Sequence, residues 1–192
     1  MKALSFFATP LNLFLAKMAD SAVQQKASPK TESKTDTNTG QKTVSQTNWI
    51  GSVDRNWLNP ENWSNGLPSS QNHAYIPMSP KGSQFPIITT ECKIDFTIKN
   101  DGVITNKGNI TITVRGLIQN YGIFENGSAG HILNSGNMIN CGTMVNTGNI
   151  ENQHVISNGN VIENGGTITN DEKIVDLKVL YQSGFKNMPT LS

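Results

Sequence analysis

From Asn134 onward the apolar and polar positions follow a six-residue beat. Asparagine stands at Asn134, Asn140, Asn146, Asn152, Asn158, Asn164 and Asn170, and four places after each comes Met138, Met144, Ile150, Ile156, Ile162, Ile168 or Ile174. Two places after each asparagine, glycine holds four of the seven sites: Gly136, Gly142, Gly148 and Gly166. The unit reads Asn, any, Gly, any, Ile, any. A period of six does not match the 3.6 of an amphipathic helix, and repeated Asn and Gly would weaken one. Each hexad is therefore predicted to be a short strand centred on the Ile, followed by a bend at Asn-x-Gly, where both residue types tolerate unusual backbone angles. A fixed short period of this kind is the mark of a coil stacked on itself. The expected fold is all-β, a β-solenoid or β-helix of Asn-x-Gly-x-Ile-x hexads.

The beat reaches back before Asn134 with slips. Asn100 and Asn106 are in step, but Asn106 to Asn120 and Asn126 to Asn134 each run two residues long, which predicts small loops or bulges at 111–116 and 127–131. The array should span about 94–175. With two hexads per coil, Thr143, Val155 and Thr167 align in a column, as do Val145, Ser157 and Thr169, and such residues suit a sheet. Against that frame, Glu151 would lie over Glu163, and like charges at strand spacing repel. Three hexads per coil would place Glu163 on Val145 instead and break up the Thr/Val columns. Two per coil is the expectation adopted, giving six coils and a rod of roughly 29 Å at about 4.8 Å per strand.

Outside the array the patterning divides the chain further. Residues 3–16 are apolar after a Met-Lys start, too short to span a bilayer comfortably, and 1–19 is read as a signal-like or assembly arm. Residues 20–47 carry almost nothing apolar and are read as a disordered polar linker. Residues 176–192 lose the beat and gain apolar residues, as a C-terminal cap or tail would. Net charge is +1 with 15% charged residues, which offers no basic field for nucleic acid. A membrane partner is expected only through the N-terminal apolar segment, if it is uncleaved. Asparagine is the outlier, at 24 residues. Cys92 and Cys141 are too few for a disulfide scaffold or a thiolate zinc site.

Residues 48–93 change character again and read as a cap. Trp49, Trp57 and Trp63 fall within fifteen residues among Pro60, Gly66 and Pro68, ahead of an Ala-Tyr-Ile-Pro segment. Such a unit would cover the open edge of the first coil. The matching residues Trp49, Gly51, Asp54, Trp57, Asn59, Asn62, Trp63, Gly66, Pro68, Ile76 and Pro77 resemble a segment of secreted and cell-surface proteins of Bacteroidota and related bacteria. There, a Trp- and Asn-rich stretch introduces a repetitive β-rich or solenoid region. The resemblance covers about forty residues and implies an exported, surface-associated architecture without specifying an activity. Those proteins are usually much longer than this chain.

Candidate chemistry is sparse. His73, His131 and His154 have no metal-ligand spacing, and no metal or cofactor is expected. Glu151 and Glu163 could form a glycosidase-like carboxylate pair, though outward solvated positions are the simpler account. Burial within the cap is the expected place of the tryptophans, and they admit a second reading, because sugar rings stack on exposed indoles: a glycan-binding module would use Trp49, Trp57 and Trp63. The expectation is a non-enzymatic structural or adhesive protein at the cell surface or outside the cell, partnered by itself in filaments or a surface layer, or by cell-surface polysaccharide. The alternatives are a glycan-binding module and a subunit of a virion or phage appendage.

Overall fold

In a computed structural model of the chain the described residues are 43–171, together with the strands at 173–175, 179–182 and 185–187. They belong to one unit, Lys42–Ser192. The arm expected at 1–19, most of the linker, and the side chains of the C-terminal cap lie outside the described residues.

The first strand is β1 (Ser45–Asn48), and a short 3-10 turn follows at Pro60–Asn62. The first coil is built from β2 (Asn72–Ile76), β3 (Ile87–Ile88) and β4 (Glu91–Ile94). The second has β5 (Thr97–Asn100), β6 (Val103–Asn106) and β7 (Asn109–Ile112); the third has β8 (Leu117–Asn120), β9 (Ile123–Asn126) and β10 (His131–Asn134). The fourth contains β11 (Asn137–Asn140), β12 (Thr143–Asn146) and β13 (Asn149–Asn152), and the fifth β14 (Val155–Asn158), β15 (Val161–Asn164) and β16 (Thr167–Asn170). A final triple, β17 (Lys173–Val175), β18 (Val179–Gln182) and β19 (Phe185–Asn187), continues the stack.

From β2 onward every third strand pairs, β1 adds to β2, and the pairing within each face is parallel throughout. Face one is the seven-stranded sheet β1-β2-β5-β8-β11-β14-β17, face two runs from β3 to β18, and face three from β4 to β19. The all-β solenoid is as expected. At about 4.8 Å per step, β1 and β17 stand roughly 29 Å apart.

The number of hexads per coil differs from the expectation: it is three. Asn134 pairs with Asn152, and Asn152 with Asn170, eighteen residues apart. Glu151 then lies on face three between Leu133 and Thr169, while Glu163 lies on face two beside Val145, so the carboxylate column that a two-hexad coil would create never forms. Columns rich in β-branched residues do not distinguish the two frames, because the triangular one makes such a column too: Val103, Ile123, Thr143 and Val161 stack on face two. The two slips are four-residue corners, 113–116 and 127–130, each closed by a backbone bond of 2.7 Å, from Gly116 to Thr113 and from Gly130 to Gly127. Thr111, Ile112 and His131, assigned to those loops from sequence, are strand residues.

The array also starts earlier than about residue 94. The stretch read as cap already contains β2, β3 and β4, and β1 begins inside the stretch read as linker. On face three, no strand among the described residues pairs with the outer edge of β4. Its exposed Glu91 and Lys93 alternate with buried Cys92 and Ile94, a charged edge of the kind that resists pairing with other chains.

The interior has two components. The second residue of each four-residue strand, with Ala74 of β2 in register, forms apolar columns: Ala74, Ile98, Ile118, Met138 and Ile156 on face one; Ile104, Phe124, Met144 and Ile162 on face two; Cys92, Ile110, Ile132, Ile150 and Ile168 on face three. Burying each large member contributes about 1.5–3 kcal/mol. The fourth residue, asparagine from the second coil onward on faces one and two, is equally buried and fills the corner. A residue two places later must let the preceding coil's backbone come close. At Gly142 a Cβ would stand 2.1 Å from the Gly122 carbonyl oxygen. Where glycine holds this corner, the following amide reaches the coil before it at 2.8–3.2 Å. After His154 and Asn160 the same bond, from Val155 and Val161, stretches to 3.4 and 3.3 Å.

Candidate functional site

The asparagines form three ladders along the array, beginning in the second coil on faces one and two and in the third coil on face three. Asn100 donates its amide N–H to the Asn120 oxygen, Asn120 to Asn140, and Asn140 to Asn158 along face one. Asn106, Asn126, Asn146 and Asn164 do the same on face two, and Asn134, Asn152 and Asn170 on face three. All eight bonds are 2.7–2.8 Å and all donate toward the C-terminal end. Most rungs donate a second hydrogen to a strand carbonyl of the next coil, as Asn140 does to Val161 at 2.8 Å. A buried amide is thus satisfied jointly by identical neighbours above and below and by the backbone at its corner. Each ladder starts beneath an isoleucine: Asn100 beneath Ile76, Asn106 beneath Ile88, Asn134 beneath Ile112. The Asn100 Oδ1, at the head of its ladder, has no hydrogen-bond partner.

The tryptophan segment packs as a cap over the first coil. β1 adds to β2 on face one, and residues 55–57 bond to Ile87 of β3 on face two. Trp49, Trp57 and Trp63 are 1%, 2% and 4% exposed, with Trp63 edge-on to both others at 5.2 and 4.8 Å. Their indoles therefore offer no free face to a sugar ring. Trp49 donates to the Gln84 carbonyl at 2.6 Å and Trp63 to the Trp57 carbonyl at 2.9 Å.

The rest of the tryptophan motif serves this cap. Asp54 accepts from the Asn56 backbone N–H at 2.8 Å and from the Asn59 and Asn62 side-chain amides. Those bonds, the Asn56 one foremost, hold its carboxyl below the usual carboxylate range. Asn59 caps the 3-10 turn by accepting from the Glu61 N–H, and buried Asn62 accepts from the Val53 and Asp54 N–H groups. Gly51 adopts a φ of +61° against the Gln84 carbonyl, a conformation and a space that exclude a side chain.

The other residues considered from sequence are scattered. His73 lies on β2, the second strand of face one, where its Nδ1 accepts from the Thr97 N–H at 3.2 Å, and His154 is an exposed corner residue. His131 meets Glu151 at 3.2 Å on face three, and Glu163 stands apart on face two. Among the described residues no three His, Cys, Asp or Glu side chains group as metal ligands would. Cys92 and Cys141 are both free; burial pushes the Cys92 thiol up to about 11 and raises that of Cys141 as well, so neither is an activated nucleophile.

One outward cluster went unseen in the sequence. At the edge between faces one and two, the Lys99 ammonium lies 5.3 Å from the Tyr75 ring and 5.7 Å from the Tyr121 ring. Asp101 takes the Lys99 ion pair at 3.3 Å and the Tyr75 hydroxyl hydrogen at 2.9 Å, and that bond raises the Tyr75 phenol above its usual value. Nothing in the six-residue beat reveals this grouping, because Tyr75 and Lys99 align only through a coil of twenty-four residues.

These features define a three-faced parallel β-solenoid with asparagine-filled corners and a tryptophan cap. A family model described as "Domain of unknown function (DUF8693)" matches residues 48–162, and the chain belongs to that family. The match takes in cap and coils together, in keeping with a cap that supplies part of the first two faces. No curated protein and no solved structure matches the chain.

Proposed function

We propose that this protein is a non-enzymatic structural or adhesive module, displayed at the cell surface or outside the cell, whose rigid rod presents its faces to a partner. The observation that carries the reading is the set of eight rung-to-rung amide bonds, in which the repeated residues are spent on stiffness. The likeness of the tryptophan segment to bacterial surface proteins supports display. The capped first coil bears on self-assembly: growth through that end would displace β1 and residues 55–57, so filaments would have to form through the other end or a face.

Protease shaving and immunolabelling of intact cells test the display, with the cap epitope expected outside. A chain found only within the cytoplasm overturns it. Turnover of any polysaccharide by the purified chain overturns the non-enzymatic part, and strictly monomeric sedimentation across concentration rejects the self-assembling version.

A further inference from the structure

We infer that the edge between faces one and two near the cap is a binding site for an extended neutral glycan, with Tyr121, Lys99 and Asp101 as its recognition residues; this rests on the adhesive reading above. Tyr121 is 43% exposed at a corner, and Ile123, just past it, is 39% exposed. Together they offer an apolar surface of the kind that the C–H face of a pyranose ring covers. Around it stand groups suited to sugar hydroxyls: the Lys99 ammonium, the Asp101 carboxylate and, one rung below Lys99, the Gln119 amide.

The charge and size of the cluster select the ligand. Lys99 and Asp101 neutralise each other at 3.3 Å, so the patch favours neither an anion nor a cation. Tyr75, Lys99 and Gln119 occupy successive rungs of one outward column, with Tyr121 at the corner beside Gln119. Two such steps measure about 10 Å, comparable to a disaccharide. A stable protein partner would need about 800 Å² on this side, whereas the cluster comprises one three-rung column and its corner residues. The rings and the ion pair already hold one another, so a ligand would meet groups that need little further ordering.

Titration calorimetry of the full chain with cellotetraose, tetra-N-acetylchitotetraose and mannotetraose tests the site. At least one should bind, and Tyr121→Ala and Lys99→Gln should each weaken it by about tenfold or more. Tyr121→Phe should bind like the parent, because the ring remains. His131→Ala, on face three, should leave binding unchanged, and all four variants should keep the parental melting temperature. Failure of all three sugars to bind overturns the inference, as does a folded Tyr121→Ala variant with undiminished affinity. Cell-surface labelling reads the adhesive proposal separately, so a displayed rod that binds no glycan removes only this site.

Discussion

The asparagine at each corner is asked to do what an apolar residue cannot: fill a buried angle while satisfying the backbone that turns there. Asn146 accepts from Asn126 and donates to Asn164 and to the Thr167 carbonyl. Asn146→Ala would leave the Asn126 donor and the Thr167 acceptor buried and short of a partner, a loss of roughly 2–4 kcal/mol. Outward Asn137→Ala should stay within about 0.5 kcal/mol. Chemical denaturation of the two variants makes the comparison. Glycine divides in the same way. Gly142→Ala must push aside the Gly122 carbonyl and should unfold at markedly lower denaturant, whereas Gly165 has no neighbour closer than 4.0 Å. Gly165→Ala should be neutral or gain up to about 1 kcal/mol by restricting the unfolded chain.

At the scale of elements, one carboxylate gathers three donors of the cap. The folded Asp54 carboxyl lies below its ordinary 3.8, so its contribution is fully present above that value and is lost as pH falls through the lowered one. Asp54→Asn should therefore melt well below the parent at neutral pH, with the gap closing in acid; near-ultraviolet circular dichroism of the buried indoles follows it. The hexad strands were legible in the sequence because each repeats one buried apolar residue and one turn former. β2, β3 and β4 were not, because isoleucine replaces asparagine at Ile76, Ile88 and Ile94 and the beat is absent. The tryptophans were legible as a cap and as buried packing, and the glycan-binding alternative stayed open because aromatic clustering looks alike whether the rings face inward or outward. The Tyr75–Lys99–Tyr121 cluster depends on coil lengths that only pairing reveals.

For the molecule as a whole, the number of hexads per coil could not be read from the interior at all. Any whole number of hexads stacks Asn on Asn and Ile on Ile, so the core is blind to how many make a turn, and only the outward columns and the irregular parts distinguish the choices. Duplicating residues 137–154 should therefore give a soluble, cooperatively folding protein one rung longer. Inserting a single hexad after Asn152 should match the interior equally well yet move every later outward residue to the next face. Lower solubility and a broadened thermal transition in the six-residue insertion, against a sharp one in the eighteen-residue duplication, would separate them.

The four-residue corners at 113–116 and 127–130 then acquire a different meaning. A sequence that repeats every six residues can slide against itself by one unit at almost no internal cost, and such a chain would fold into a mixture of phases. The two extended corners occur once each, on different edges, and cannot be superposed on a two-residue turn. They act as index marks: with the cap, they tell each later hexad which face it belongs to, and so turn a periodic tape into one defined object.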